Sequence, residues 1–360
     1  MRRNIIVKIL TLVAVAIVTF PCFAQDKNSG RKFISRGIAF YNLENLFDTI
    51  NSNGKYDLEF SPEGSRQWNT QKYTLKVNNM ARAIANMVTT TTPNGPAIIG
   101  ISEVENRGVM VDVAKAVDQY LIAKGKKPWN LQICHHDSPD RRGIDVGLFY
   151  NPRQFRVLNV TNARLDIGYP TRDQMCVTGV LSSDTINVIV NHWPSRLGGQ
   201  EKSSPNREKA AALCKQTADS IWAKHPGQPV IIMGDLNDDP QNKSCAEVLN
   251  AKKDQKGVDT FGFFNPWWKL LDKGIGTLAY KGQWNLFDQI IVSGGLLEQN
   301  QPKDSGKFHY WKCQVNNFDF LRTNEGNNQG YPKRTFSAGV FLGGYSDHFP
   351  TEIFLIKEVK

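Results

Sequence analysis

Short apolar runs recur along the chain, separated by polar and glycine-rich residues. An almost continuous apolar run of roughly four to eight residues is typical of a strand buried on both faces of a sheet. The clearest run, PVIIM at 229–233, leads directly into Gly234, a residue expected to let the chain turn at the end of the strand. The pattern predicts strands at 37–41, 97–101, 144–150, 156–165, 176–181, 186–190, 229–233, 287–292 and 349–356.

Three other segments carry apolar residues at spacings of three and four, which predicts amphipathic helices at 70–89, 109–123 and 206–223. Residues 298–345 are rich in glycine, asparagine and aromatic residues, and we expect long loops there. The order of elements combines strand–helix–strand crossovers with runs of consecutive strands. The sequence therefore predicts one α/β domain with mixed sheets over residues 37–360.

The first 24 residues have the pattern of a secretory signal. Arg2, Arg3 and Lys8 precede an uncharged run at 9–20, and Ala24 supplies a small residue before Gln25. A membrane anchor is the alternative, but a spanning helix needs about 20 apolar residues. We therefore expect an exported protein, secreted or periplasmic, in which a polar linker at 25–36 joins the signal segment to the domain.

The chain is basic, with a net charge of +10. Without the three basic residues of the signal segment the charge becomes +7, which favours a polyanion such as nucleic acid or anionic lipid but does not distinguish them. Five cysteines remain after the signal segment, and none has the spacing of a zinc site. Export would permit disulfides, but an odd number leaves at least one thiol free or available to another molecule.

Polar side chains stand at one strand end after another, namely at Asn42, Glu103, His192, Asp235 and Asp347. In open α/β sheets, side chains at the carboxyl ends of strands tend to meet at one edge. Mg²⁺ usually takes one or two protein carboxylates and completes its shell with waters and substrate oxygens. Asn42, Glu103 and Asp347 have this chemistry, so the pattern indicates a metal site suited to phosphoryl transfer.

Each signal also has a simpler structural interpretation. Asp-Asp-Pro at 238–240 is ordinary turn chemistry, and Asn42 could cap a turn. Glu44 and Glu105 are expected to be solvated or structural. Arg142 either belongs to a solvated turn or binds phosphate through paired hydrogen bonds. Four further histidines are interpreted as structural, namely His135, His136, His225 and His309.

Taken together and in order, these residues resemble the motifs of the endonuclease/exonuclease/phosphatase superfamily, the DNase I-like metal-dependent phosphoesterases. The motifs are YNLEN at 41–45, IGISEVEN at 99–106, VNHWPSR at 190–196, GDLNDDP at 234–240, FDQIIVS at 287–293 and SDHFP at 346–350. Ser102 departs from the family pattern, which has glutamine there. The resemblance implies a DNase I-like sandwich of two mixed β-sheets flanked by helices, with the site at one end of the sheets.

The resemblance implies a metal-dependent enzyme and assigns metal-binding roles to two residues. Glu103 would be the principal metal ligand and Asn42 would help to hold the ion, while the chemistry of Asp347 makes it a third candidate ligand. We expect Mg²⁺, with Mn²⁺ and Ca²⁺ as alternatives. Arg142 is a candidate for binding the substrate phosphate.

The catalytic roles follow from the same resemblance. Asp235 would activate the nucleophilic water, and Asn237 would bind the phosphate. Asp288 would orient His348, which we expect to stabilise the phosphoryl oxygens. His192 would contact the phosphate or act as an acid. In related nucleases a carboxylate orients the histidine equivalent to His192. The sequence motifs do not identify that carboxylate here, and Glu105 is the one candidate.

Export argues against DNA repair and against cytosolic inositide chemistry, two other activities of the superfamily. Basic loop residues suit a phosphate backbone, namely Arg141, Arg142, Arg196, Lys202, Lys333 and Arg334. We therefore expect an endonuclease of low sequence specificity that acts on DNA, with RNA as a second substrate. One alternative is a sphingomyelinase-like phosphodiesterase, for which FGFFNPWW at 261–268 would contact the membrane unless it is buried. A non-catalytic polyanion-binding protein is disfavoured because Asp235 and His348 are both present.

Overall fold

The computed structural model describes residues 24–25, 31–50 and 56–359. Apart from Ala24, the expected signal segment lies outside the described residues, and export stays a prediction. Among the described helices, none combines the length and the hydrophobicity that crossing a membrane requires.

Strands make up most of the regular structure. In chain order they are β1 (Ala24–Gln25), β2 (Lys32–Leu46), β3 (Ile98–Val104), β4 (Gln132–His135), β5 (Asp145–Tyr150), β6 (Phe155–Ala163), β7 (Gln174–Leu181), β8 (Asp184–His192), β9 (Val230–Asp235), β10 (Ala251–Lys252), β11 (Phe263–Phe264), β12 (Leu278–Tyr280), β13 (Gln283–Asn285), β14 (Asp288–Ser293), β15 (His309–Val315), β16 (Phe336–Ser337), β17 (Val340–Phe341) and β18 (Thr351–Val359). The α-helices are α1 (Thr70–Ala85), α2 (Arg107–Ala123), α3 (Gln200–Lys224) and α4 (Trp268–Leu271).

Two mixed sheets hold most of these strands. The first has the order β15-β18-β2-β3-β5-β4, with β1 paired to β2, and the second has the order β10-β11-β14-β9-β8-β7-β6. Parallel pairing joins β2 to β3 and β8 to β9, whereas β18, β5, β7 and β14 pair antiparallel with their neighbours. The predicted α/β sandwich of two mixed sheets is confirmed.

The two sheets pack face to face, with helices on their outer sides. Alternate residues of β2 serve the two layers: Ile38 and Phe40 join the core between the sheets, while Ala39 and Tyr41 face α1 and α2. Helix α3 covers the outer face of the second sheet through residues such as Cys214. Strands buried on both faces need apolar residues at every position, and this is why the sequence shows continuous runs.

The pairing directions bring the polar strand ends together. The parallel pairs place the carboxyl ends of β2, β3, β8 and β9 at one end of the sandwich. The antiparallel strands β14 and β18 begin at that same end, because Asp288 pairs with Asp235 and Thr351 pairs with Phe40. Six sequence motifs therefore meet at one end of the sandwich.

Two predictions near strand ends are wrong. The linker expected at 25–36 is partly sheet, because β2 begins at Lys32 and Ile34 pairs with Lys357 of the C-terminal strand. Gly234 does not turn the chain and lies inside β9. A Cβ atom at this position would stand 2.3 Å from the Asn191 carbonyl oxygen, so the glycine permits close approach of β8 and β9.

The structure also adds elements that the apolar pattern did not predict. Strand β15 lies within the segment that was expected to form loops, and it pairs with β18 at the edge of the first sheet. Strand β4 forms the opposite edge. Helix α3 begins at Gln200, six residues before the predicted start at 206, and continues through Pro205.

The segment FGFFNPWW is mostly buried. Phe263, Phe264 and Trp267 have at most 4% exposure, and only Phe261 among its rings is half exposed. Phe261 packs edge-on against Trp222 of α3 at a centroid distance of 5.5 Å. Three of these rings are therefore core, and the single exposed ring packs against α3. No exposed apolar patch is left in this segment to favour a membrane-binding phosphodiesterase. All five cysteines of the described residues are free.

Candidate active site

Three neighbouring strands of the second sheet each place one ionisable side chain at the converged end. His192 at the end of β8 pairs in register with Asp235 at the end of β9, and Asp235 pairs with Asp288 at the start of β14. All three residues are buried, with exposures of 5%, 2% and 0%. The sheet register alone therefore sets their mutual spacing.

Asp235 is the centre of this group. Its Oδ2 atom accepts a hydrogen bond of 3.0 Å from Nδ2 of Asn42, across the interface between the two sheets. Its Oδ1 atom accepts the backbone N–H of Asn237 at 3.0 Å. Burial raises the pKa of Asp235 to about 7, where His348 opposes the shift and Asp288 adds to it. A carboxyl group with this pKa can exchange a proton near neutral pH.

His348 faces Asp235 from the first sheet. Its Nδ1 atom lies 2.7 Å from Oδ2 of Asp288, and its Nε2 atom lies 3.8 Å from Oδ2 of Asp235. Burial alone would lower the pKa of His348, but the carboxylates of Asp288 and Asp235 outweigh it and hold the pKa well above its ordinary value. The imidazole is therefore held as a cation whose Nε2–H points into the site.

His192 has the opposite electrostatic environment. Its Nε2 atom lies 3.6 Å from Oδ2 of Asp235 and 3.7 Å from Oε1 of Glu103. Burial lowers the pKa of His192 well below its ordinary value, and the cations Arg172 and Arg142 add to this shift. Its buried Nδ1 atom has no hydrogen-bond partner among the described residues. The orienting carboxylate is thus absent there, and Glu105 instead accepts the backbone N–H of Asp48 at 2.7 Å.

Glu103 reaches the site from the end of β3. It has the left-handed backbone angle φ = 60°, as do Asn45 at 49° and Asn237 at 50° on adjacent segments. Such backbone strain costs about 1–3 kcal/mol per residue and clusters at functional sites. The Oε2 atom of Glu103 accepts the backbone N–H of Asn45 at 2.9 Å, while Oε1 accepts no hydrogen bond within the described part of the chain.

Asp347 stands beside His348 at the rim. Its Oδ2 atom accepts a hydrogen bond of 2.9 Å from Nη2 of Arg334, and its Oδ1 atom lies 3.9 Å from Nε2 of His348. Arg334 also approaches Oε1 of Glu44, with Nε at 3.5 Å. Through Arg334, these contacts hold the SDH motif against the end of β2.

A buried ion pair lies behind this rim. Nζ of Lys76 in α1 is 3.9 Å from Oε2 of Glu44, and the same ammonium donates to Oγ1 of Thr335 at 2.6 Å and to the carbonyl oxygen of Tyr345. Burial raises the pKa of Glu44 to about 7 and lowers the pKa of Lys76 to about 8, although each charge partly offsets the shift of the other. Glu44 is therefore structural, as expected.

The remaining phosphate-binding candidates lie at the edge of the site. Nδ2 of Asn237 donates to the carbonyl oxygen of Trp193 at 3.0 Å, which orients the amide and leaves its second hydrogen unused. Arg142 is about half exposed, with Nη2 bonded to Oδ1 of Asn45 and 3.8 Å from Oε2 of Glu103. Both side chains border the space that Asp235 and His192 face.

Asp238 and Asp239 are not part of this space. Asp238 pairs with the buried guanidinium of Arg207, whose Nε is 2.8 Å from Oδ2. Asp239 accepts the backbone N–H of Leu286 at 2.7 Å. Arg196 donates to the carboxylates of both residues at 3.3 Å, and its Nε donates to the Asn237 carbonyl oxygen at 2.9 Å. Arg196 is therefore structural rather than available to substrate. The turn interpretation of Asp-Asp-Pro is correct for these two residues.

The donor set fits a hard divalent cation. Glu103 offers an unbonded carboxylate oxygen with 13% side-chain exposure, and Asp347 and the amide of Asn42 supply further oxygens. Asp235, Asp288 and His348 also lie close enough to share an ion, but the 2.7 Å bond between His348 and Asp288 commits that imidazole to its carboxylate. Glu103, Asn42 and Asp347 are therefore the candidate metal-binding residues, and Oδ1 of Asn42 also accepts the backbone N–H of Glu44 at 2.8 Å.

Two neighbours of the site were not singled out by sequence reasoning. Arg172 is buried and donates to the carbonyl oxygen of Trp193 at 2.8 Å and to Asp140 at 3.1 Å, and its charge helps to keep His192 neutral. Lys76 lies on an amphipathic helix, where a lysine is ordinarily solvated. Neither residue belongs to a motif, so only the tertiary structure could reveal them.

Two β-sheets pack face to face, and a carboxylate–imidazole pair, a second histidine and an open carboxylate lie together at one end of them. This fold and these groups suit a metal-dependent phosphoesterase. Residues 37–357 match the family described as Endonuclease/Exonuclease/phosphatase family. The chain belongs to that family, whose members are divalent-metal-dependent hydrolases of phosphate esters.

Solved structures show the same fold at low sequence identity. TDP2 from C. elegans has 14% identity and a TM-score of 0.53, covering 89% of this chain and 75% of its own. A mannosyl-6-phosphatase, Bt3783 of Bacteroides thetaiotaomicron VPI-5482, has 15% identity and a TM-score of 0.51 and covers 90% and 100%. D. rerio TDP2 complexed with single strand DNA product has 13% identity and a TM-score of 0.50 and covers 89% and 98%. A search of curated proteins finds no match.

Proposed function

We propose that the protein is an exported, divalent-metal-dependent phosphodiesterase that cleaves nucleic acid internally with little sequence preference. DNA is the main substrate in this proposal, and RNA is the second. The observation that carries the proposal is the convergence of Asp235, the cationic His348 and the neutral His192 on one space beside the open carboxylate of Glu103.

The chemistry follows from the protonation states of these side chains. Asp235 accepts the proton of the attacking water, for which a pKa of about 7 is suited. His348 donates its Nε2–H to a phosphoryl oxygen and stabilises the charge that develops there. His192, which is neutral, contacts the phosphate by hydrogen bonding and is a poor acid. When bound, Mg²⁺ would supply further stabilisation of negative charge, with Glu103, Asn42 and Asp347 as its protein ligands.

Nucleic acid is favoured as substrate by three observations. Without the signal segment the chain carries a net charge of +7, which attracts a polyanion. One structural neighbour was solved with a single-stranded DNA product, and this supports a nucleic acid substrate by analogy of fold. Partly exposed guanidinium groups such as that of Arg142 border the site and suit a phosphate backbone.

The test uses the chain from Gln25 onward with supercoiled plasmid, Mg²⁺, and a chelator in a parallel sample. We expect nicking that the chelator abolishes and that Asp235→Asn lowers by at least about 10³-fold. Asp319→Asn is the matched control, because that carboxylate is 98% exposed, and it should nick like the wild type. Equal nicking by the Asp235 variant would contradict the catalytic assignment. N-terminal sequencing of the exported protein should begin at Gln25.

A second candidate is a phosphomonoesterase that acts on a sugar phosphate. The similarity to the mannosyl-6-phosphatase Bt3783 supports it. The same samples are therefore assayed with mannose 6-phosphate and with 4-nitrophenyl phosphate. Phosphate release from either compound, together with an intact plasmid, would select this activity over the nuclease.

A further inference from the structure

A small pocket adjoins the proposed catalytic centre and is not used by the mechanism above. It has a volume of about 250 Å³ and lies between the end of β2 and the β16–β17 hairpin. Its lining includes Asn45, Arg66, Arg334, Phe60 and Phe336. Asn45 binds Glu103 through its backbone N–H at 2.9 Å, and Arg334 binds Asp347 at 2.9 Å. The pocket therefore shares two walls with the metal-binding candidates.

The floor of the pocket is a rigid aromatic cluster. Phe60 stacks on Phe47 at 4.6 Å and meets Phe336 edge-on at 6.3 Å, and Trp68 lies 5.8 Å from Phe336. Phe60 and Phe336 are only 7% and 8% exposed, so neither ring offers a face on which a base could stack. The cluster supports the pocket, and polar groups must provide the binding.

Arg66 is the main polar group. Its guanidinium lies over Phe336 at 4.9 Å and over Phe60 at 5.8 Å from the ring centroids. Nε contacts the carboxylate of Glu59 at 3.2 Å, while the two terminal nitrogens have no hydrogen-bond partner within the described residues. A guanidinium whose plane is held by aromatic rings presents its remaining N–H groups in a fixed direction, which suits bidentate binding of phosphate.

Arg334 faces the same pocket from the side of the catalytic centre. Its Nε and Nη2 atoms are engaged by Glu44 and Asp347, and its Nη1 atom has no partner within the described part of the chain. Two guanidinium groups thus face one pocket. The pocket is too small for a nucleoside together with its adjoining nucleotides, but it is large enough for a phosphate group. Glu59 pairs with Arg66, Asp347 with Arg334 and Glu44 with Lys76, so the charges of this region balance. The unpaired N–H groups of the two guanidinium groups therefore provide the binding.

We propose that this pocket binds a second phosphate group of the substrate, one that flanks the bond being hydrolysed. The inference rests on the proposed nucleic acid substrate, whose backbone places a phosphate on each side of the scissile one. Arg66 is the residue that contacts the flanking phosphate. Arg334 lines the same pocket and also donates a hydrogen bond to Asp347, so it lies between the pocket and the metal-binding candidates. The pocket would make the enzyme favour a polymer over an isolated phosphodiester.

The experiment compares two matched substrate pairs. One pair is thymidine 5′-(4-nitrophenyl phosphate) with and without a 3′-phosphate. The other pair is thymidine 3′-(4-nitrophenyl phosphate) with and without a 5′-phosphate. For the wild type, the second phosphate should raise kcat/KM about 10-fold or more in one of the pairs. Arg66→Gln should bring this ratio close to one, and Arg66→Lys should retain part of it. Arg153→Gln, an exposed arginine at the opposite end of the sheet, should keep the wild-type ratio.

A binding measurement separates the two proposals. Thymidine 3′,5′-bisphosphate and thymidine 5′-monophosphate are titrated calorimetrically into the wild type and into Arg66→Gln. The Tm of the two proteins is compared first, to show that the variant is folded. We expect the bisphosphate to bind about 10-fold more tightly to the wild type, with no such preference in the variant. Absence of the preference in the wild type, or its survival in Arg66→Gln, overturns the pocket assignment. If the wild type prefers the bisphosphate but hydrolyses no diester, the proposed nuclease activity is wrong and the proposed phosphate-binding role of the pocket is supported.

Discussion

The Nδ1 atom of His348 lies 2.7 Å from Oδ2 of the fully buried Asp288, and the two residues belong to different sheets of the sandwich. Asp288 is the first residue of a strand in the second sheet, whereas His348 lies three residues before the last strand of the first sheet. The contact therefore forms only when the two sheets are packed. It also fixes the charge and the orientation of the imidazole, so folding and chemistry depend on the same bond.

Replacing Asp288 tests this relationship. Asp288→Asn keeps the shape of the side chain but removes the charge that outweighs burial, so the pKa of His348 should fall. His348 then loses its proton at a lower pH, and the alkaline limit of activity should move to lower pH. We expect kcat near pH 8 to fall by about 10²–10³-fold. A pH–rate profile of both proteins measures the effect, and profiles of the same shape would contradict the assigned role.

Removing Glu103 should weaken metal binding. Loss of a residue that only supports a metal ligand typically costs about 10–100-fold in affinity, so loss of the principal ligand should cost at least about 100-fold. Glu103→Gln should therefore need far more Mg²⁺ for half-maximal activity and should bind Mn²⁺ more weakly by calorimetry. Glu105→Gln provides the control two residues away, on a side chain that accepts the Asp48 N–H. Equal metal dependence of the two variants would exclude Glu103 as a ligand.

The buried pair of Lys76 and Glu44 should stabilise the fold only as a pair. Lys76→Met leaves the Glu44 carboxyl group buried beside Asp347 without its ammonium partner, so it should lower the free energy of unfolding by about 3–5 kcal/mol. The double variant Lys76→Met/Glu44→Gln should recover part of this loss. Urea unfolding of both single variants and the double variant gives the coupling energy. Additive losses would show that the two charges do not interact.

Glu352 should make stability depend on pH. Burial raises the pKa of Glu352 from 4.5 to about 8, while the amides of Asn316 and Gln314 oppose the shift. Between these two values the folded protein keeps a proton that the unfolded chain releases, so the free energy of unfolding falls as the pH rises. Each unit of pKa difference corresponds to about 1.4 kcal/mol, and the full loss is a few kcal/mol.

Glu352→Gln cannot titrate and should lose less stability than the wild type between pH 5 and pH 8.5. Urea unfolding at these two pH values measures the difference in slope. Because Glu352 lies inside β18 and its Oε2 atom accepts from Gln314 and Asn316, the effect is independent of metal binding. The same slope in both proteins would contradict the burial argument.

The amino-acid sequence by itself determined the strands of the sandwich interior and the motif residues at their ends. In the strand Val230–Asp235 both faces are covered, so its first four residues are all apolar, and the sequence shows this as a continuous apolar run. The polar residues that end these runs lie where parallel pairing collects them. Resemblance to a known family then assigned roles to most of them, and side-chain chemistry suggested the roles of Asp347 and Arg142. The structure brings to one end of the sheets Asp235, Asp288, His348, His192, Glu103, Asn42, Asn237, Asp347 and Arg142.

Only the tertiary structure decided the features that depend on a distant partner. Strand His309–Val315 lies at a sheet edge and is half exposed, so it carries no apolar run, and its pairing with the last strand defines it. Residues 32–36 are polar in part and become strand because residues 355–359 pair with them. Lys76 is buried because Glu44, Thr335 and Tyr345 meet it from elsewhere in the chain. The local hydrophobic pattern indicates which faces of a strand or helix are buried. It does not indicate which distant residues will pair with that segment, because those residues lie outside the pattern.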